Sequence, residues 1–255
     1  MENSSFKLNP DKISVPGRVY YKEITDSTNL DAKRSENAPD KSIFLADMQT
    51  SGRGRLGREW SSPEGCGIWM SIYLKPQTPM EDISQLTLIA GLAVSRVIDG
   101  TKIKWPNDVL IKDKKVAGIL TEMSAQNGKI NHVIVGVGIN VNNKSFPLEL
   151  RDKATSLYIE TGTAIEREKL ICDITKEFFL MYDKFLSESF SVFKEEYTRK
   201  CVTLGREIYL IENEEKRVAR AVGITEKGEL LAEINGKTEV VNSHEVSVRG
   251  LLGYL

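Results

Sequence analysis

The feature that most limits how this chain can fold is a change of pattern near residue 202. Before it, strand-like and helix-like hydrophobic segments mix; after Thr203 only short strand-like segments follow, joined by polar turns such as Lys227-Gly228 and Asn235-Gly236. In the first part strands are expected over 18–24, 43–49, 67–74, 102–105, 109–111, 116–123 and 130–141, with Pro-Asn-Asp, Asp-Lys and Asn-Gly turn signals between the later ones. Ile83, Leu86, Ala90, Ala93, Val94 and Val97 recur at helical spacing and predict a helix over 80–98 whose apolar stripe lies on a sheet. Leu170, Ile174, Phe178, Met181 and Phe185 do the same for 167–186, and Asp26-Ser27-Thr28-Asn29 supplies capping residues for a helix over 30–37. The second part reads as strands over 207–211, 218–225, 229–234, 238–241 and 245–249. The expected fold is α+β: an N-terminal extension over 1–17, an α+β domain over 18–202 and a small all-β barrel over 203–255.

Composition removes several classes of function. Charges nearly cancel, 35 Lys+Arg against 36 Asp+Glu, so no global field draws the chain to nucleic acid or anionic lipid, and neither is expected as a partner. The opening residues lack a signal-peptide profile and no apolar run reaches membrane-spanning length, which predicts a cytoplasmic protein with no membrane partner. Cys66, Cys172 and Cys201 are odd in number and far apart, and only His132 and His244 accompany them, so no protein-bound metal site is expected.

The segment from Gln49 to Trp60 is the most informative. It holds Gly52, Arg53, Gly54, Arg55, Gly57 and Arg58 in Gly-Arg-Gly-Arg-Leu-Gly-Arg, which formally matches both a dinucleotide loop and the glycine spacing of a Walker A loop. Neither reading holds. Arg58-Glu59 stands where Walker A needs Lys-Ser/Thr, and Trp60-Ser-Ser-Pro63 cannot open the helix that a dinucleotide fold requires. What remains is a pliable backbone carrying guanidinium groups suited to phosphate, between two strands: a lid over a small anionic ligand rather than an Arg-Gly nucleic-acid segment.

Two further clusters follow. Lys104-Trp105-Pro106-Asn107-Asp108 ends a strand and Lys115-Val-Ala-Gly118-Ile-Leu-Thr-Glu122 begins the next, so a hairpin brings both lysines near one surface; read alone, the first is also an ordinary structural turn. Val135-Gly136-Val-Gly138-Ile-Asn140 ends a β-branched strand with glycines that permit close approach of a ligand. In this order, with Ser27-Thr28-Asn29, the Gln49–Trp60 loop, Ala154-Thr155-Ser156-Leu157 and the terminal Glu245-Val-Ser-Val-Arg249, the set closely resembles biotin–protein ligases from about residue 18 to the end. The resemblance implies a mixed sheet with helices on one face, of the class II aminoacyl-tRNA synthetase/biotin ligase kind, followed by an SH3-like barrel. It also implies the short form of the family, without an N-terminal DNA-binding domain and without repressor function.

The activity implied is ATP-dependent conversion of biotin to biotinyl-5′-adenylate, then transfer of biotin to a lysine on the biotin carboxyl carrier domain of a biotin-dependent carboxylase. By resemblance, Lys115, Arg53 and Arg55 are catalytic. Ser27, Thr28, Asn29, Gln49, Gly52, Arg53, Gly54, Arg55, Trp60, Lys115, Gly118 and Gly136 contact biotin, with Trp60, Ile119 and Leu120 offering an apolar wall to its chain. Arg55, Arg58, Lys104, Asn107, Lys115 and Asn140 meet ATP, which brings Mg²⁺. For Ser27–Asn29 helix capping and ligand contact both stand; Trp69 and Trp105 read as core; Glu122 either orients Lys104 or ends a strand; Arg206 and Arg249 are offered as nucleotide or acceptor contacts. Family members dimerise through a sheet edge, so a homodimer stays open. The lipoate ligases and the lipoyl or octanoyl transferases share the fold and are the nearest alternative.

Overall fold

The computed structural model describes residues 7–35, 37–212, 215–243 and 247–250. Seven strands form one sheet: β1 (Val19–Thr25), β2 (Ser42–Gln49), β3 (Gly67–Leu74), β4 (Lys102–Lys104), β5 (Asp108–Ile111), β6 (Lys114–Gln126) and β7 (Lys129–Asn140), in the spatial order β1-β2-β3-β7-β6-β5-β4. β1 and β2 run parallel and the other pairs antiparallel. Register then sorts the side chains by parity. Ile68, Met70, Ile72 and Leu74 of β3 lie opposite Ile139, Val137, Val135 and Val133 of β7, and all eight belong to the main core with helices α2 (Gln85–Val97), α4 (Arg167–Glu188) and α5 (Ser191–Lys200). The alternate residues face the other way. There Phe44, Tyr73 and Ile134 pack with Ala32 of the short helix α1 (Thr28–Arg34) and with Ala38. The three long helices thus share one face of a mixed sheet, as expected, while α1 covers one end of the second face.

Beyond α1 that second face is nearly bare. Ser71 pairs with Gly136 and Trp69 with Gly138, and these in turn oppose Leu120 and Gly118 of β6, so three glycines occupy neighbouring positions on it. The α1 loop and the segment between β2 and β3 fold over this strip. A second, antiparallel sheet of β8 (Glu207–Glu212), β9 (Glu215–Ile224), β10 (Leu230–Ile234), β11 (Lys237–Val241) and β12 (Ser247–Gly250), ordered β11-β10-β9-β8-β12, follows. Its inward Ile208, Leu210, Ala219, Ala221, Leu230, Ala232 and Val248 continue the same apolar cluster as the first sheet. Trp105 pins the junction, its backbone N–H donating to Thr203 Oγ1 and its indole N–H to the Gly228 carbonyl, both at 2.9 Å.

Several boundaries differ from the sequence reading for local reasons. The helix expected over 80–98 breaks into a 3-10 turn at Met80–Asp82 and α2 from Gln85, whose side chain donates to the Asp82 carboxylate at the joint. The helix expected over 30–37 is α1, starting two residues earlier and stopping at Arg34. Strands expected over 116–123 and 130–141 lengthen into the β6–β7 hairpin, closed by Asn127-Gly128, both at positive φ (51° and 73°) as a two-residue turn of that kind requires. Helix α3 (Leu157–Thr161) and helix α5 were not expected. The strand over 245–249 is met by β12 only from Ser247; Glu245 and His244 lie outside the described residues.

Candidate active site

The glycine strip is the floor of a small cavity of about 50 Å³. Its wall is a chain of neutral polar groups. The Thr28 backbone N–H and hydroxyl both donate to Gln49 Oε1 (2.8 and 3.1 Å), and Gln49 Nε2 donates to Ser62 Oγ at 2.7 Å. Ser71 Oγ stands 2.7 Å from Thr28 Oγ1 and 2.5 Å from Asn29 Oδ1, one proton for two acceptors. Asn29 Nδ2 donates to Glu122 Oε2 at 2.7 Å, and Glu122 Oε1 in turn pairs with Arg53 at 3.1 Å. Ser27 sits at the cap position of α1 without a side-chain cap bond, so the capping reading of Ser27–Asn29 gives way to this buried network. Glu122 lies within β6, not at its end, and serves Asn29 and Arg53 rather than Lys104; both sequence readings of it are corrected. Asn29 and Glu122 are 93 positions apart.

The glycines are required by space. A methyl group at Gly136 would collide with the Asn29 amide, one at Gly118 would stand 2.8 Å from the Trp60 ring and 2.9 Å from Lys115 Nζ, and one at Gly138 would stand 2.5 Å from Trp60 Nε1. Trp60 thus lies flat over the floor with Leu120 beside it. Ile119 borders the cavity, but its side chain does not join them. Strand alternation turns its side chain to α2, where its Cδ1 is the closest neighbour a side chain at Gly91 would meet, which corrects its place in the apolar wall. Trp69 is fully buried, and its indole donates to the Asp47 carbonyl at 3.1 Å while meeting Trp60 edge-on, so it is core that also backs the cavity.

The Gly-Arg segment is a folded flap. Bridges Gln49↔Ser62 and Arg53↔Glu59 zip it, the Gly54 N–H donates to the Arg58 carbonyl (2.7 Å) and the Trp60 N–H to the Gly52 carbonyl (2.8 Å). Gly52 has no room for a side chain against Ser62 Oγ, so it shapes the flap and does not line either cavity. At the tip a 3-10 turn, Arg55–Gly57, aims Arg55 inward: Nη1 donates to Asn107 Oδ1 at 3.2 Å and Nη2 to the carbonyl of Ser243 in the turn that follows β11. Burial pushes the Arg55 guanidinium below its usual value.

Beside the small cavity lies a large one of about 560 Å³, within the range of nucleotide-sized pockets. The two share Gly54, Arg55, Trp60, Asn107 and Lys115. Lys115 stands at this boundary, its Nζ 2.5 Å from Asp108 Oδ1 and 4.9 Å from the centre of the Trp60 ring. Lys104, Arg58 and Arg249 line the large cavity too, as do Phe146 and Lys153 from the segment after β7. Burial is the main cause that lowers the Lys104 ammonium to about 8; Asp108 opposes the shift, and Lys115, Arg249 and Arg58 add to it. Asn107 and Asn140 each donate an amide proton into the fold, to the Ile119 and Thr155 carbonyls at 3.1 Å, so they build the cavity wall as well as line it. Arg206 lines neither cavity. The sequence reading gave no role to Asp108, Ser62, Ser71 or Lys153; of these only Asp108 carried a signal, as the last residue of its motif. His132 is buried and stacked on Tyr73, and the three cysteines are unbridged.

Comparison with known proteins agrees with this geometry. The family described as "Biotin/lipoate A/B protein ligase family" matches residues 20–140, and "Biotin protein ligase C terminal domain" matches residues 203–249. "Bifunctional ligase/repressor BirA" of Bacillus subtilis is 37 % identical over 247 residues, covering 93 % of this chain and 76 % of the relative. "Biotin--[acetyl-CoA-carboxylase] ligase" of Paracoccus denitrificans is 30 % identical over 237 residues, covering 89 % and 98 %. Among solved structures, the biotin protein ligase of Aquifex aeolicus in complex with biotin and ATP superposes with a TM-score of 0.81 at 36 % identity, covering 91 % of this chain and 99 % of that one. A glycine-floored polar pocket, a cationic cavity joined to it along a wall that includes Lys115, and similarity over nearly the full described length lead to one conclusion: the chain belongs to the biotin protein ligase family.

Proposed function

We propose that the chain ligates biotin to protein in two steps carried out in its two adjoining cavities, and that the observation carrying this reading is Lys115 at their shared wall. The small cavity suits a neutral, polar ring. Thr28, Asn29 and Gln49 present donors and acceptors without net charge, Ser27, Gly118 and Gly136 give it backbone, and Trp60 with Leu120 gives an apolar roof for the acyl chain. The large cavity suits a triphosphate, with Arg55, Arg58, Lys104 and Arg249 lining it beside Asn107 and Asn140. Bringing a carboxylate to the α-phosphate sets two anions together, and Lys115 with Arg55 offsets their repulsion where it is greatest. Arg53 acts through its pair with Glu122, which sets Asn29. Attack of the carboxylate oxygen on phosphorus releases pyrophosphate and leaves biotinyl-5′-adenylate; an acceptor amine then takes the acyl group and AMP departs.

The partner of a biotin–protein ligase is a biotin-carrying protein, and we propose the carrier domain of a biotin-dependent carboxylase, in keeping with the relatives named for acetyl-CoA carboxylase. Among the described residues the cavity has two carboxylates, Asp108 and Glu59, fewer than a protein-built cage uses, so Mg²⁺ is proposed to arrive on the triphosphate with its own water. A second copy of the chain has a candidate edge: β5 pairs with β6 only as far as Gly118, leaving the rest of β6 without a strand on that side among the described residues. Residues 18–202 are proposed as the catalytic unit, 203–255 as its barrel and the cytoplasm as its compartment; among the described residues no helix is long and apolar enough to cross a membrane. The test is biotin-dependent exchange of labelled pyrophosphate into ATP, with lipoate and octanoate in parallel. Exchange with biotin alone is expected; exchange with lipoate instead, or with no acid, overturns the reading.

A further inference from the structure

The large cavity is built for anions, yet its lining includes a largely buried carboxylate. Asp108 opens β5 with its side chain 14 % exposed, opposite Lys104 of β4 and Gly118 of β6 in the register, and 2.5 Å from Lys115. Among the described residues the other acid lining this cavity, Glu59, is on the exposed flap. For the first half-reaction Asp108 is a hindrance, since it competes with both substrate anions for Lys115. The second half-reaction has the opposite need. Pyrophosphate has left, and the reacting group arrives as a lysine ammonium, a cation with no lone pair.

We propose that Asp108 is the proton acceptor of the transfer step, an inference that rests on the ligase reading above. On the way from ammonium to amide the acceptor nitrogen loses two protons. The first frees its lone pair and passes to an Oδ of Asp108, which returns it to solvent. The nitrogen then bonds to the acyl carbon, the bond from that carbon to the phosphate oxygen breaks, and AMP leaves with the electron pair. The second proton leaves the nitrogen as the amide forms and goes to water or the departing phosphate. The neighbouring cations Lys104, Lys115 and Arg55 help, because like charges and poor solvation make an incoming ammonium more acidic and narrow the gap to a carboxylate. A purely structural role for Asp108, holding Lys115 in place, makes a different prediction.

Hydroxylamine separates the two. Its nitrogen is already unprotonated at neutral pH, so it skips the first proton loss. With synthetic biotinyl-5′-adenylate loaded on the enzyme, Asp108→Asn is expected to slow transfer to a purified carrier domain by about 100-fold, the usual scale of a lost general base. Capture by hydroxylamine in the same variant is expected to change by less than about 5-fold, which also reports an intact site. Equal losses with both nucleophiles, or undiminished transfer to the carrier, overturn the proposal. Because the adenylate is supplied ready-made, these outcomes are distinct from a failure of wild-type pyrophosphate exchange, which would sink the ligase reading itself.

Discussion

Lys104 is the residue whose charge state the fold tunes most directly for function. With its ammonium lowered to about 8, it is cationic at pH 7 and largely neutral at pH 9 in the empty protein. The sign follows: raising pH through 8 removes a positive charge from the large cavity, so the KM for ATP in pyrophosphate exchange is expected to rise several-fold between pH 7 and pH 9. Lys104→Met is expected to flatten that rise; a pH response that survives in the variant would place its origin elsewhere. Lys115→Ala is expected to abolish the first step, read as loss of biotin-dependent exchange. At Arg55 both guanidinium bonds tie the flap down, one to Asn107 and one to Ser243. Hydrogen bonds of a charged group contribute about 1.5–3 kcal/mol each, so Arg55→Gly is expected to shorten the residence of the adenylate by at least about 10-fold and to label bystander lysines. Retention equal to wild type would exclude the latch.

Among the elements, the glycine-bearing strands were legible and the side-chain pairing across them was not. Gly118, Gly136 and Gly138 stood out in the sequence because strand interiors disfavour glycine, and Gly136→Ala is expected to weaken biotin binding by at least about 10-fold, measured by calorimetry, since its methyl group meets the Asn29 amide. The same strand period could have turned Ile119 away from the pocket, because residues flanking it, Gly118 and Leu120, already claimed that face. By contrast, Glu122 meeting Asn29 and Arg53 depends on how α1 and the flap descend on the sheet, and no local pattern encodes that. Helix α5 escaped notice for want of signal: Phe193 and Tyr197 are its only buried residues. A buried pair was equally hidden. Asp47 of β2 and Arg167 of α4 lie 120 positions apart, joined at 2.9 Å, and Asp47 also receives the Tyr21 hydroxyl and the Leu8 N–H. Asp47→Ala leaves a guanidinium buried without this partner and is expected to cost about 3–5 kcal/mol in denaturant unfolding; a loss under about 1 kcal/mol would show that the site relaxes to solvent.

At the scale of the whole molecule, the change of pattern at residue 202 marks a change of architecture but not of core. Apolar residues of both sheets form one cluster, and Trp105 spans them. A single calorimetric unfolding transition is therefore expected, with van't Hoff and calorimetric enthalpies equal; two resolved transitions would contradict the shared core. The turn after β11 supplies Ser243 to the flap and β12 supplies Arg249 to the large cavity, so the site is incomplete without this second unit. The consequence reaches into ancestry. Exchange of gene segments between relatives at this point would part Trp105 from the Gly228 turn shaped to receive it and Arg55 from its carbonyl, and most such chimaeras would be lost to selection. The two halves should have been inherited as one block, and their contact residues should have drifted in step.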